Sequence, residues 1–366
     1  MTDSLQQFIE KVTGESHLRV EQDFGDGFVR LRSEEAERRQ AKHDVRKSED
    51  IVIEMLRNSR DAQAKRIYVA SWKEGEVRNI TILDDGCGVP ASMLSRIFEA
   101  RVTSKLDTMR MDLWGVHGRG MALFAIKTNA DRAEVMCSKL HGGTSIHVEA
   151  STTKLGEKRD QSTFPVFSKD DTGTVTVRGP KNINRTVLEF AYIERRDCDV
   201  FYGSPAEIAC ALWLHAKDSL TQSEMVFSHD PDEFDVCDRI ALAATPEEFS
   251  RIAETLGLPL SARTARRIMN GEISPAIDAF KKISSPINKK AGKGGTHNEA
   301  FTLEHLCKKD TATIRMSEED RSRFCTSVKK AFNELARAYY LESDVEVETK
   351  ICKGKLTISI PIEPLL

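Results

Sequence analysis

No stretch of the chain approaches the roughly 18 consecutive apolar residues needed to cross a bilayer. The first ten residues are polar and mixed in charge, unlike a secretory leader. There is no CxxC pair. The eight cysteines (Cys87, Cys137, Cys198, Cys210, Cys237, Cys307, Cys325 and Cys352) are scattered, and they read as reduced thiols of a cytoplasmic protein, not as zinc ligands or a disulfide frame. Charge of one sign is lacking as well: 54 Lys+Arg against 57 Asp+Glu leave a net charge of −3, without bulk polybasic character. No internal repeat is found. What remains is a chain of 366 residues, 40% hydrophobic and 30% charged, which can bury a sizeable core and is long enough for two domains or three small ones.

Residues 1 to about 45 are charged and poor in core-formers, and residues 34–46 alternate sign at helical spacing. Ile51, Met55, Leu56 and Ala62 recur at three- and four-residue steps, predicting a helix from Ser48 to about Ala64 with Ser48-Glu-Asp as its cap. Strands are expected at 67–72, 79–83, 132–138, 144–150 and 173–178, with a polar surface loop at 151–171 and a short helix at 91–99. In the second half, helices are expected at 205–220, 246–256, 260–270, 273–283 and 318–341. A glycine- and lysine-rich loop at 284–298 and a hairpin turning at Lys353-Gly354 complete the pattern.

Four segments carry chemistry. In Glu54-Met-Leu-Arg-Asn58-Ser-Arg-Asp61-Ala62, the residues Glu54, Asn58 and Asp61 are four and three positions apart and share one helix face. A carboxylate and a carboxamide one turn apart can hold a water and a hard cation such as Mg²⁺; a solvated charged face is the alternative. In Asp84-Asp-Gly86-Cys-Gly88-Val-Pro90, the glycines allow close backbone approach to a ligand, and an Asp at a strand end can accept a hydrogen bond from an exocyclic amine; a plain turn would read the same. In Gly115-Val-His-Gly118-Arg-Gly120-Met-Ala-Leu, glycines run straight into a helix, an arrangement that suits phosphate. It follows no clear strand and lacks Gly-Lys-Ser/Thr, which argues against a dinucleotide site or a P-loop. Gly173-Thr174 opens a strand, and Gly143-Thr144 resembles it.

In this order the segments resemble the GHKL ATPase superfamily, which includes gyrase-type topoisomerases, heat-shock ATPase chaperones, histidine kinases and MutL-type mismatch-repair proteins. Its ExxxNSxDA box matches Glu54, Asn58, Ser59, Asp61 and Ala62. DxGxG matches Asp84, Gly86 and Gly88, the GxxGxG-type lid end matches Gly115, Gly118 and Gly120, and the final GT is best matched by Gly173-Thr174. The likeness spans about residues 45 to 190. It implies an α+β chain: a Bergerat-type α/β sandwich over 46–190, preceded by a charged arm (1–45) and followed by a mainly helical, transducer-like half (191–366) ending in a β-hairpin. It implies ATP and Mg²⁺ as ligands and hydrolysis to ADP and phosphate, with Glu54 as general base and Asn58 as magnesium ligand. Asp84 would recognise adenine and Thr174 support that end of the pocket. Gly118 and Gly120 would wrap the phosphates, with Asp61, Gly86, Gly88, Thr103, Ser104, Lys105, Gly115, His117, Arg119 and Met121 around the nucleotide. Residues 101–115 would form the ATP lid.

Val102-Thr-Ser-Lys105 and the Gly115 segment look most like MutL-type and type IIB topoisomerase B-subunit proteins, with microrchidia-type ATPases close by. A histidine kinase would usually lack the Glu54 base. Asp85 stands where relatives often carry Asn. The resemblance implies an ATP-gated homodimer acting in DNA metabolism, on double-stranded DNA and with a separate nuclease or effector subunit, since the second half shows no metal cluster or catalytic tyrosine. A protein-remodelling ATPase and a nucleotide sensor are the alternatives. A lysine from the second half would reach the γ-phosphate, and Lys289, Lys290 and Lys293 are candidates. Residues 281–309 hold seven Lys against two Glu, which suits nucleic-acid phosphate or a solvated loop equally. Residues 248–267, with Gly257 in a turn and Arg263, Arg266 and Arg267 on the second helix, fit either a helix-turn-helix or an ordinary helical hairpin.

Overall fold

The computed structural model describes residues 20–32, 35–104, 110–112, 114–117, 120–169, 175–220 and 230–284, together with positions 325, 326, 328, 329, 332, 336, 348–352 and 355–360. The chain opens with strands β1 (Val20–Gly25) and β2 (Phe28–Leu31), then helices α1 (Glu35–Asp44) and α2 (Ser48–Asp61). Strands β3 (Arg66–Glu74) and β4 (Val77–Asp84) follow, then two 3-10 turns (Ala91–Met93 and Arg96–Phe98), β5 (Val102–Thr103), β6 (Arg110–Asp112), β7 (Gly115–His117) and α3 (Ala122–Asn129). Next come β8 (Arg132–Ser138), β9 (Thr144–Ser151), β10 (Val166–Lys169), β11 (Val175–Arg178), α4 (Ile183–Ile193), β12 (Asp199–Gly203), α5 (Pro205–Ser219), α6 (Pro246–Thr255), α7 (Ala262–Met269) and α8 (Ala279–Ser284).

The centre is a five-stranded sheet in the order β12-β3-β4-β9-β8. All its pairings are antiparallel except that of β12 with β3. Alternation along β4 and β9 sends Ile82, Asp84, Thr144 and Ile146 to the face that carries α2, where they line a cleft. Thr81, Leu83, Ser145 and His147 point to the opposite face, which α5, α6 and α7 cover. Because helices lie on both faces, β4 is buried almost throughout instead of alternating with solvent. Tyr68, Leu83, Phe201, Ile208, Phe249 and Ile268 pack together on the back. The turn after α6 is pinned there by two buried hydroxyls: Thr81 Oγ1 donates to Gly257 O at 2.6 Å and Ser145 Oγ to Leu256 O at 2.8 Å.

Several sequence expectations meet a different structure. The charged N-terminal stretch contains the β1–β2 hairpin, whose Phe28, Val29 and Leu31 are buried and whose second strand pairs with β5. The strand after position 173 does not enter the main sheet: β11 pairs with β10 in a separate two-stranded ribbon, and β10 lies in the segment expected to be loop. The short helix expected at 91–99 resolves into the two 3-10 turns, and that at 273–283 shortens to α8. The expected 46–190 span lies wholly inside a compact unit, Met1–Ile283, because β12 extends the sheet and α5 to α7 cover its back.

A second unit comprises Ser284–Leu366. Within it, strands β13 (Glu348–Cys352) and β14 (Lys355–Ser359) pair antiparallel on either side of the expected turn. The described positions between 325 and 336 are helical, in line with the expected amphipathic helix, and Phe332 and Ala336, one turn apart, are buried with Ile360 against them. Among the described residues no helix is long and apolar enough to cross a membrane.

Candidate functional site

The site is built first from α2. Its N-terminus is capped by the Asp50 carboxylate, which accepts the backbone N–H groups of Arg46 (2.8 Å) and Lys47 (3.0 Å), while Ser48 is the first, buried helical residue. Ile51, Val52, Met55 and Leu56 are buried, which fixes the helix rotation and turns Glu54, Asn58 and Asp61 to the cleft. Glu54 Oε1 accepts a hydrogen bond from Arg57 Nη1 at 2.6 Å. Asp61 Oδ1 accepts from Arg60 Nε and Nη2, and Arg60 also donates to Glu194 at 2.8 Å. Burial alone would lower the Arg60 guanidinium, but the Glu194 hydrogen bond and the charges of Asp61 and Glu194 outweigh it and hold it above its ordinary value. The Asn58 Nδ2 atom is buried with no hydrogen-bond partner.

The second wall is the end of β4. Asp84 is 7% exposed; its Oδ2 accepts from Ser59 Oγ at 2.7 Å and its Oδ1 from Gly86 N at 3.0 Å. Gly88, with φ +68°, is held so closely that a Cβ there would lie 1.9 Å from Lys139 O. Gly143, with φ +94°, would place a Cβ 2.1 Å from Asp84 O. The next residue, Thr144, is the ladder partner of Asp84 and lines the cleft. Its hydroxyl meets Ser138 Oγ at 3.0 Å, and that oxygen accepts Val89 N at 2.8 Å, which ties the Gly88 turn to β9. Asp85 faces elsewhere: its Oδ1 accepts the N–H groups of Lys65 and Arg66, so the carboxylate secures the start of β3 and leaves the glycines undisturbed.

Thr103 and Ser104, at the end of β5, and Gly120 and Met121, just before α3, close the remaining side. Gly120 O accepts Arg101 N at 2.9 Å, which joins the two segments. The cleft so enclosed holds about 590 Å³. Gly86 adjoins it through its N–H on Asp84, and Gly115 and His117 lie in β7, paired with β6. Lys105, Gly118, Arg119 and Thr174 lie outside the described residues, as do Lys289, Lys290 and Lys293. In the structure it is the Gly143-Thr144 pair that stands beside Asp84. Its signal in the sequence is the same glycine-threonine step before a strand, and the choice between the two depends on which strand joins β4. Ser59, Arg57, Trp114 and Cys87 also line the cleft. Cys87 is an exposed free thiol there.

The donor set fits a nucleotide with a hard cation. Asn58 lines the cleft and its Nδ2 has no partner; because amide N and O interchange by a flip, its carboxamide is the candidate to meet a hard cation or a phosphate oxygen. Among the described residues no group of three His, Cys, Asp or Glu side chains could hold a metal, and a magnesium ion bound mainly by phosphate and water requires none. The remaining titratable candidates are structural. His215 Nδ1 meets Tyr68 Oη at 2.8 Å and its ring packs on Phe201. Burial pushes the Cys137 thiol up to about 11 and the Cys198 thiol to about 12, so both stay protonated and inert. On α7, Arg263, Arg266 and Arg267 are exposed; Arg266 lies 3.7 Å from Glu247 and Arg267 3.2 Å from Glu272.

Residues 46–173 match the family described as histidine kinase-, DNA gyrase B-, and HSP90-like ATPase. Among curated proteins, the chain is similar to the DNA mismatch repair protein MutL of Lactiplantibacillus plantarum: 32% identical over 129 residues, covering 35% of this chain and 18% of that protein. The MutL of Nostoc sp. is 35% identical over 118 residues (29% and 20%), and that of Thermus thermophilus 33% identical over 135 residues (30% and 24%). The chain thus spans about a fifth of the length of the curated relatives it matches.

Proposed function

We infer, from a domain at residues 46–173 that belongs to the histidine kinase-, DNA gyrase B- and HSP90-like ATPase superfamily, that this protein binds ATP with Mg²⁺ and hydrolyses it. The observation that carries the reading is the convergence of Glu54, Asn58 and Asp84 on one cleft, with Asp84 buried and held by two donors. A carboxylate fixed by Ser59 and Gly86 suits an exocyclic amine, and Thr144 beside it suits the edge of the same base. The triphosphate would run along α2 towards Asn58 and Glu54, with Gly120 and Met121 at the N-terminus of α3, where backbone N–H groups favour an anion. Magnesium would neutralise phosphate charge and polarise the terminal phosphoryl group. Glu54 would align a water and accept its proton as the new P–O bond forms and the bond to the β-phosphate oxygen breaks, yielding ADP and phosphate.

We propose further that nucleotide binding favours a homodimer and that the output concerns DNA. The names of the mismatch-repair relatives and the exposed arginines of α7 support this part. The Arg266 and Arg267 pairs are exposed and worth little, so both cations stay available to phosphate. The test is MgATP turnover by wild type and Glu54→Ala, with and without duplex DNA, alongside mass measurement in ATP. Turnover abolished by Glu54→Ala while binding persists is the expected result, with stimulation by DNA and ATP-dependent dimers. Equal turnover in both proteins refutes Glu54 as the base, and turnover indifferent to DNA removes the DNA part alone.

A further inference from the structure

Glu54 does not stand in the cleft by itself. One turn on along α2, Arg57 is 2% exposed, and its Nη1 lies 2.6 Å from Glu54 Oε1. An i,i+3 pair on a helix surface contributes little, but this one is not on a surface: the two side chains are 3% and 21% exposed. The guanidinium is in turn covered by an aromatic ring: Arg57 Cζ lies 5.7 Å from the centroid of Trp114. Trp114 itself abuts the fully buried Phe190 of α4, with centroids 6.1 Å apart and planes at 38°. The order from the inside out is Phe190, Trp114, Arg57, Glu54.

We propose that Arg57 is a positioning residue for Glu54, with Trp114 fixing the guanidinium that fixes the carboxylate. This rests on the reading of Glu54 as the base. A glutamate carries three rotatable side-chain bonds, and a base that must hold a water in line with a phosphoryl group gains from having them fixed. A charge-assisted hydrogen bond of 2.6 Å from a planar, buried guanidinium does so. The Trp114 face restrains the guanidinium plane in turn, which a lysine ammonium could not exploit in the same way. Arg57 touches no substrate in this scheme; its effect passes through Glu54.

The experiment compares kcat and KM for MgATP in wild type, Glu54→Ala, Arg57→Ala, Arg57→Lys, Trp114→Phe, Trp114→Ala and the Glu54→Ala/Arg57→Ala pair. Loss of alignment predicts that Arg57→Ala lowers kcat about 10- to 100-fold with KM nearly unchanged. Arg57→Lys and Trp114→Ala fall between, Trp114→Phe stays near wild type, and Arg57→Ala adds nothing to Glu54→Ala. A readout independent of turnover is the Arg57 guanidinium ¹⁵N spectrum of the full chain: slow rotation in wild type, and fast rotation in Glu54→Gln and in Trp114→Ala. Should Arg57→Ala fail to fold, the Lys and Trp114 variants and the spectrum decide. Arg57→Ala or Trp114→Ala at wild-type kcat, with Glu54→Ala inactive, overturns the positioning role and leaves the base intact. A freely rotating guanidinium in wild type overturns it too. Full turnover in Glu54→Ala sinks the underlying reading instead.

Discussion

Replacing Gly143 by alanine should damage both the fold and the site. Gly143 has φ +94°, where an L-residue is strained by about 1–2 kcal/mol. Its new Cβ would lie 2.1 Å from the Asp84 carbonyl oxygen, where real contacts stay beyond 3.0 Å. The β8–β9 turn must therefore draw back from Asp84 by nearly an ångström, beside the Asp84–Thr144 ladder pair, and overpacking of this kind costs a further ~1–3 kcal/mol. The sum, about 2–5 kcal/mol, is a large share of a typical domain's stability. The displacement also falls on Asp84, whose Oδ2 accepts from Ser59 at 2.7 Å, so nucleotide affinity should drop with stability. Gly75 supplies the control. It too has positive φ, +57°, but nothing lies within 4 Å of its Cβ, so Gly75→Ala should cost only the strain. Urea unfolding of the two variants and wild type, by linear extrapolation, measures the difference. If Gly143→Ala is no less stable than Gly75→Ala, the close approach of the β8–β9 turn to Asp84 is not what holds the site.

Two smaller predictions follow from the sheet and its flanking helices. Ser59→Ala removes a buried hydrogen-bond donor to Asp84 and should destabilise by roughly 1–3 kcal/mol, with weaker ATP binding; thermal unfolding with and without nucleotide reads both. Burial holds the His147 imidazole below its usual value, against an opposing pull from Glu149. A base whose folded value is depressed stabilises the native state above its unfolded value of about 6.5, and that stability fades as pH falls through and below it. The melting temperature should therefore drop between pH 7 and pH 5, and drop less in His147→Gln.

What the sequence made legible follows from where the physics is local. Helix α2 and strands β3, β4, β8 and β9 carry their own periodicity, and β13 and β14 pair on either side of the Lys353-Gly354 step that marked a hairpin in the sequence. The cleft residues on α2 could be read because three- and four-residue spacing fixes a helix face without tertiary knowledge, and Asp84 because it ends a strand at a glycine turn. Strand β12 was illegible: Asp199-Val-Phe-Tyr-Gly is short, lies at a parallel edge and shows no alternation. The identity of the threonine beside Asp84 was equally hidden, since Thr144 and Thr174 share a local pattern and only strand pairing tells them apart. Arg57 carries no signal in the sequence, because its burial and its contact with Trp114 depend on residues far along the chain. The helix-turn-helix pattern at 248–267 illustrates the converse. Its turn is bonded to Thr81 and Ser145 of the sheet, so the hairpin is a structural cover whatever its arginines contact.

In the function proposed above, the cleft between α2 and the end of β4 takes an adenine nucleotide through Asp84. The most direct test is equilibrium binding of MgATP by calorimetry to wild type and Asp84→Asn, with GTP as the competing ligand. An amide at 84 keeps the size but places a donor where an acceptor is needed, so wild type should bind ATP over GTP and the variant should lose at least tenfold in ATP affinity, about 1.4 kcal/mol. Equal affinity of both proteins for ATP, in a variant that unfolds like wild type, would contradict it.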